Sequence, residues 1–152
     1  MPATSAKAAA SSDLEPTIVA ERLRLVTTRL ARLLRQQAGS DLTPTMLSTL
    51  STVHREGPLT LGALAAHEQV APPTITKTLG RLDQLGLIER TVDPDDRRVC
   101  RVRLSTVGRR FVERTRNRRR AWLTTRLATL EADEVATLAA ALPVLERLTA
   151  AP

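Results

Sequence analysis

The sequence predicts a mainly α-helical fold with one small β-hairpin near its middle. Three observations carry that expectation. Most of the chain spaces apolar residues three and four positions apart, as a helix with one buried side requires. One stretch does not: from Val99 to Leu104, Cys100, Val102 and Leu104 alternate with Val99, Arg101 and Arg103, the period of a half-buried strand. Capping residues and stops punctuate the whole, with Thr43, Thr60 and Ser105 ahead of helical stretches and Gly57-Pro58 and Gly86 behind them.

In chain order, residues 1–13 are small and polar without periodicity and read as a disordered tail. A first helix follows from about Leu14 to Gln37, where Val19, Leu23, Val26, Leu30 and Leu33 form a seam that needs a partner. Thr43-Pro44 opens a second helix with Met46, Leu47, Leu50 and Val53 on its buried side. Thr60 is placed to cap a short third helix to about His67, with Leu64 and Ala65 facing inward. Pro72-Pro73 fits only in a first turn and so sets the start of a fourth helix, running to Leu85.

That fourth helix is the functional centre of the reading. Ile75, Leu79 and Leu82, continued by Leu85, make its buried face. Thr74, Lys77, Thr78 and Arg81 recur on the other side with no acidic group among them. Such a face suits base-pair edges and phosphates, because Arg and Lys donate to guanine or phosphate and Thr can donate, accept or meet a thymine methyl. A solvated amphipathic helix would look the same in isolation. Gly80, in mid-helix, costs about 1 kcal/mol relative to alanine. Either a close backbone approach to a neighbouring helix or a tolerated weak position accounts for it. After Gly86, strands at Leu87 to Val92 and Val99 to Leu104 flank the turn Asp93-Pro94-Asp95-Asp96, and Arg97 and Arg98 at its tip suit the negative potential of a narrow minor groove.

The hairpin leads into a long fifth helix, Ser105 to about Ala128, with Val107, Phe111, Thr115, Trp122, Leu123 and Leu127 on its packing face. A sixth runs from about Asp133 to Leu148 and uses Val135, Leu138, Leu142, Leu145 and Leu148, with a kink expected at Pro143.

Charge sharpens the picture. The chain of 152 residues carries a net charge of +7, which points to polyanionic partners. Between Arg97 and Arg120 there are eleven arginines and one acid, Glu113. No run of about 18 apolar residues could cross a membrane, and Met1 to Ser12 lacks the apolar block of a signal peptide, so a reducing cytoplasm is the expected setting. His54, His67 and Cys100 are too scattered for a metal site or a nucleophilic catalytic set, and no phosphate-cradling glycine loop is present. No cofactor and no catalytic residue is therefore expected.

Leu82 to Arg90 (LDQLGLIER), the DPDDRR turn and Leu104-Ser105-Thr106-Val107-Gly108 together resemble the winged-helix core of the MarR family of bacterial transcriptional regulators. The resemblance extends over roughly Leu14 to Leu148, and the Asp-x-Arg of the wing, Asp96 and Arg98, is its most specific mark. It implies a winged helix-turn-helix domain (about 43–104) carried by a helical dimerisation region (about 14–38 and 105–150), in one domain over 14–152. The partner it implies is double-stranded DNA, with Pro73, Thr74, Thr76, Lys77, Thr78 and Arg81 in the major groove. By the same resemblance Arg98, with Arg97 beside it, enters the minor groove and Asp96 braces the wing. A sequence-blind architectural or RNA-associated protein is the alternative from another class.

The terminal helices carry more leucine than a reading head of this size needs. Pairing of two copies about a two-fold axis would bury the surplus, with Leu14, Ile18, Val26, Leu127, Leu138, Leu142 and Leu145 at the interface. Family members often bind a small aromatic or phenolic acid between the dimer helices and the reading head. The resemblance puts Leu30, Leu34, Met46, Leu50, His54 and Phe111 around such an effector, although each also reads as plain core and the chain holds only one Phe, one Trp and no Tyr. Cys100 is expected on the buried side of its strand, which opposes redox sensing.

Overall fold

The computed structural model describes residues 15–37, 39, 41–93, 96 and 99–150. The expected tail, Leu14 of the dimer seam and Arg97 and Arg98 of the wing tip lie outside the described residues. The chain divides into two units, 1–37 and 38–152.

The first unit holds helix α1, Pro16–Gln36, with Pro16 in the opening turn where a missing N–H is harmless. None of its residues is buried. Along the seam Val19, Val26, Leu30 and Leu33 are all exposed, Val26 to 60%. The apolar stripe thus has the pattern of a packed helix without being covered.

In the second unit, α2 (Pro44–Glu56) begins where the Thr43 hydroxyl accepts the Met46 N–H at 3.3 Å, and it ends at Gly57, whose φ of 84° favours glycine. Helix α3 (Leu61–Glu68) is capped in the same way by Thr60, which accepts the Ala63 N–H at 3.2 Å. Gln69, left-handed at φ 51°, turns the chain into α4 (Pro72–Gln84). The Thr52 hydroxyl donates to Glu68 at 2.7 Å and ties α2 to the end of α3. Helix, turn and helix enclose one core: Leu50, Leu64, Ile75, Leu79 and Leu82 are almost wholly removed from water. Each such side chain contributes about 1.5–3 kcal/mol by burial, which fixes α4 rigidly on its scaffold. Leu85, expected to continue the buried face, is instead 49% exposed. The helix ends before it, and Gly86 (φ 66°) swings the chain away.

Strands β2 (Ile88–Val92) and β3 (Cys100–Leu104) pair antiparallel, from Ile88 opposite Leu104 to Val92 opposite Cys100. A further strand was not anticipated. β1, Leu59–Thr60, pairs with the other edge of β3, giving the order β1-β3-β2. Two residues are too few to show a period, and only the approach of β3 makes them a strand. Val102 and Leu104 are buried as their alternation demands, but Cys100 is exposed, which corrects the expectation for it. It shares their side of the strand, yet the core ends short of it.

Helix α5 (Thr106–Leu127) starts at a close lock with the strand layer. The Ser105 hydroxyl donates to the Gly86 carbonyl at 2.6 Å and accepts the Gly108 N–H at 2.9 Å, while the Ser105 N–H donates to the Leu87 carbonyl at 3.1 Å. Gly108 packs so tightly on Leu87 that an added Cβ would overlap the Leu87 carbonyl oxygen and lie 2.9 Å from its carbon. The buried side of α5 is Gly108, Val112 and Thr115, whereas Val107 is 55% exposed and Phe111 half-buried. Of the expected face Thr115 is buried and Phe111 half-buried, but Val107 faces outward because the tightest contact of the first turn is made by a glycine, which an apolar count passes over. Helix α6 (Ala132–Thr149) begins with a reciprocal capping box of Glu131 and Glu134 and continues through Pro143. None of its residues is buried within the single chain: Val135, Leu138, Leu142 and Leu148 are all exposed, and the apolar stripe that their spacing defines stands uncovered.

Candidate nucleic-acid interface

Of the residues expected on the reading face of α4, Pro73, Thr74, Thr76, Lys77 and Arg81 are exposed. Thr78 is not. It is buried, and its hydroxyl donates to the Thr74 carbonyl at 2.9 Å, so it belongs to the inner side of the helix. At three residues beyond Ile75 it lies on the edge of the apolar stripe. The Thr76 hydroxyl donates to the Pro72 carbonyl at 2.9 Å, which commits its proton and leaves oxygen lone pairs and a methyl to meet a ligand. Among the described residues neither Lys77 nor Arg81 has an ion-pair partner. Both line an open groove of about 420 Å³ between α4 and the start of α2, with Thr43, Met46, Thr78, Gly80 and Gln84.

The start of α4 is unusual for an anion site. Helix N-termini bind phosphate through free N–H groups, but Pro72 and Pro73 have none, and the Thr74 and Ile75 N–H groups both donate to the Ala71 carbonyl. Attraction for an anion on this face therefore comes from side chains.

The wing turn is held by a carboxylate that the sequence reading did not single out. Asp93 is buried; one of its oxygens meets Arg101 Nε at 2.5 Å and the other accepts the Asp96 N–H at 3.3 Å. Backbone bonds from Asp93 N–H to Val99 O and from Val99 N–H to Asp96 O close the turn at 2.8 and 2.9 Å. The Asp96 N–H thus ties the turn to Asp93, whose carboxylate spans the hairpin to Arg101. The signal lies in the strand register, which only pairing in space fixes: Asp93 lies diagonally across from Arg101 on the same face, the placement in which opposite charges meet. Arg103 pairs with Glu89 directly opposite at 2.7 Å, and Arg90 with Asp83 of α4 at 3.4 Å. Three of the hairpin's basic groups are therefore engaged inside the protein, and the charge open to a ligand is smaller than the arginine count suggests.

Of the residues expected around an effector, Leu30 and Leu34 belong to the first unit, and those of the second unit line separate depressions. Leu50, 1% exposed, is core and with Phe111 borders a crevice of about 10 Å³ between α2 and α5. Met46 lines the groove beside α4, and His54 a separate depression with Ser51, Arg55, Val112 and Arg116. Among the described residues no three His, Cys, Asp or Glu stand close enough to hold a metal ion, and no helix is long and apolar enough to cross a membrane.

The MarR family profile matches residues 42–100, which span α2, the helix-turn-helix and the hairpin as far as the first residue of β3. An HTH-type transcriptional regulator of Mycobacterium bovis is 38% identical over 117 residues, 76% of this chain and 82% of the relative. The HTH-type transcriptional repressor MdtR of Bacillus subtilis is 32% identical over 76 residues, 50% of this chain and 49% of its own. Among solved structures, a transcriptional regulator protein of Pseudomonas aeruginosa superposes with a TM-score of 0.79 at 37% identity, covering 88% of this chain and 95% of that one. With the family profile over the helix-turn-helix and hairpin, a relative 38% identical over 76% of the chain and a superposition covering 88% of it, the chain belongs to the MarR family of winged helix-turn-helix, DNA-binding transcriptional regulators.

Proposed function

We propose that the protein is a cytoplasmic, non-catalytic repressor that binds a pseudo-palindromic DNA operator as a homodimer and responds to a small ligand. The observation that carries the DNA contact is the outer face of α4, where Thr74, Thr76, Lys77 and Arg81 stand exposed on a rigid helix, with both cations unpaired among the described residues. On this reading these side chains enter the major groove, and Arg98 at the wing tip enters the minor groove beside it. The repressor assignment follows the likeness to MdtR.

Dimerisation is supported by the uncovered apolar positions on α1 and α6. Ile18 and Val26 on one, Leu138 and Leu142 on the other, are exposed at between 37% and 60%, although their helical spacing is that of a covered face. Leu127 and Leu145 are half-buried. An aromatic or phenolic acid is the effector class proposed. Since the crevice at Leu50 and Phe111 has room for no more than about one water, binding there requires α2 and α5 to part.

Selection from random duplexes at physiological salt tests the reading. An inverted repeat with half-site centres about 10 base pairs apart is the expected product. Enrichment of no sequence, with affinity that tracks salt alone, would refute operator recognition and favour a sequence-blind architectural role.

A further inference from the structure

Gly80 stands in the middle of α4, where glycine weakens a helix relative to alanine. The fold does not require it. Its backbone is not left-handed, and a Cβ built on it meets nothing within 4 Å, so among the described residues no helix of the second unit approaches there. Nor is it peripheral to the reading face. Thr76 and Lys77 lie one turn before it and Gln84 one turn after, all exposed, with Arg81 next in sequence. Gly80 lines the groove beside α4 together with Lys77, Arg81 and Gln84.

We infer that the missing side chain serves a contact from outside the protein: the sugar–phosphate ridge of a bound duplex seats on the bare backbone of α4 at Gly80. Lys77 then reaches the adjoining phosphate, and Arg81 is left to the base edges. The inference rests on the DNA-binding reading of α4 and adds where the strand sits. Two features select a phosphate ridge as the occupant. The cations flanking Gly80 have no carboxylate partner among the described residues, since the nearest acid on the helix, Asp83, pairs with Arg90. The helix start, the usual seat of a phosphate, is disarmed by Pro72 and Pro73, so the positive groups that α4 itself offers to DNA are those around Gly80.

The test compares Gly80→Ala and Gly80→Leu with the wild-type full-length protein, on the duplex that the wild type selects. Because the site is open, alanine should raise Tm by about 2 to 4 °C. The same substitution should weaken operator binding by roughly tenfold, and leucine should weaken it further while remaining folded. Higher stability with lower affinity, graded by side-chain size, is the signature of close approach by a ligand. Affinity of Gly80→Ala within about twofold of wild type would overturn the inference and leave the DNA-binding function standing. A fall in Tm would also overturn it, because the glycine would then serve the fold. A wild type that binds no duplex would remove the reading on which it rests.

Discussion

Replacing Gly108 by alanine places a methyl group where the Leu87 carbonyl now stands. The built Cβ overlaps the carbonyl oxygen and comes within 2.9 and 3.3 Å of the carbonyl carbon and the Cα of Leu87. These are backbone atoms in the turn between α4 and β2, so no side-chain rotation relieves the clash. The first turn of α5 must move outward instead, which stretches the bonds of Ser105 to Gly86, to Leu87 and to Gly108. Overpacking costs about 1–3 kcal/mol, and loss of two hydrogen bonds adds about 1 kcal/mol each. The gain of about 1 kcal/mol from alanine in a helix offsets only part, leaving a net loss of about 2–4 kcal/mol. For a chain of this size that lowers Tm by about 5 to 15 °C. Thermal unfolding followed by circular dichroism, at fixed protein concentration, measures it. A Tm within about 2 °C of wild type would refute the tight lock of α5 on the strand layer.

The remaining predictions concern the interface and the exposed groups. Asp93→Asn removes the carboxylate that bridges Arg101 and the Asp96 N–H; since Arg101 is half-exposed, stability should fall by only about 1 kcal/mol, while operator affinity drops roughly tenfold because the wing turn is no longer held, and unchanged affinity in a titration would sink that role. Arg81→Ala should relax base preference at one position of each half-site by about 1–3 kcal/mol, read by repeating the duplex selection. Leu138→Glu with Leu145→Glu should give monomers with no operator binding, and sedimentation showing intact dimers would place the interface elsewhere. Cys100, exposed at the end of β3, should react with a thiol reagent in the native state about as fast as in denaturant; slow native labelling would contradict its exposure.

Much of the architecture was legible because it follows from local chemistry. The caps at Thr43, Thr60 and Ser105, the proline start of α4 and the left-handed Gly86 all act within a few residues, so the helix boundaries could be read from sequence. The core of the helix-turn-helix was legible too, since Ile75, Leu79 and Leu82 bury the face that their spacing defines. The outward position of Lys77 and Arg81 then follows from helical geometry alone.

What the chain order could not reveal are contacts between segments that meet only in space. Leu59–Thr60 becomes a strand because β3 offers an open edge. Asp93 becomes the brace of the wing turn because the register brings Arg101 diagonally across from it. Thr78 turns inward, and Cys100 and Leu85 outward, because a periodic pattern says which side a residue is on but not where the core beneath that side ends. The two glycines make the same point from opposite directions. In sequence Gly80 and Gly108 both stand inside helices without distinction; packing presses one against a carbonyl and leaves the other open to solvent. Local interactions determine which elements form, and only their packing determines which of their atoms are spent on the protein and which remain for a ligand.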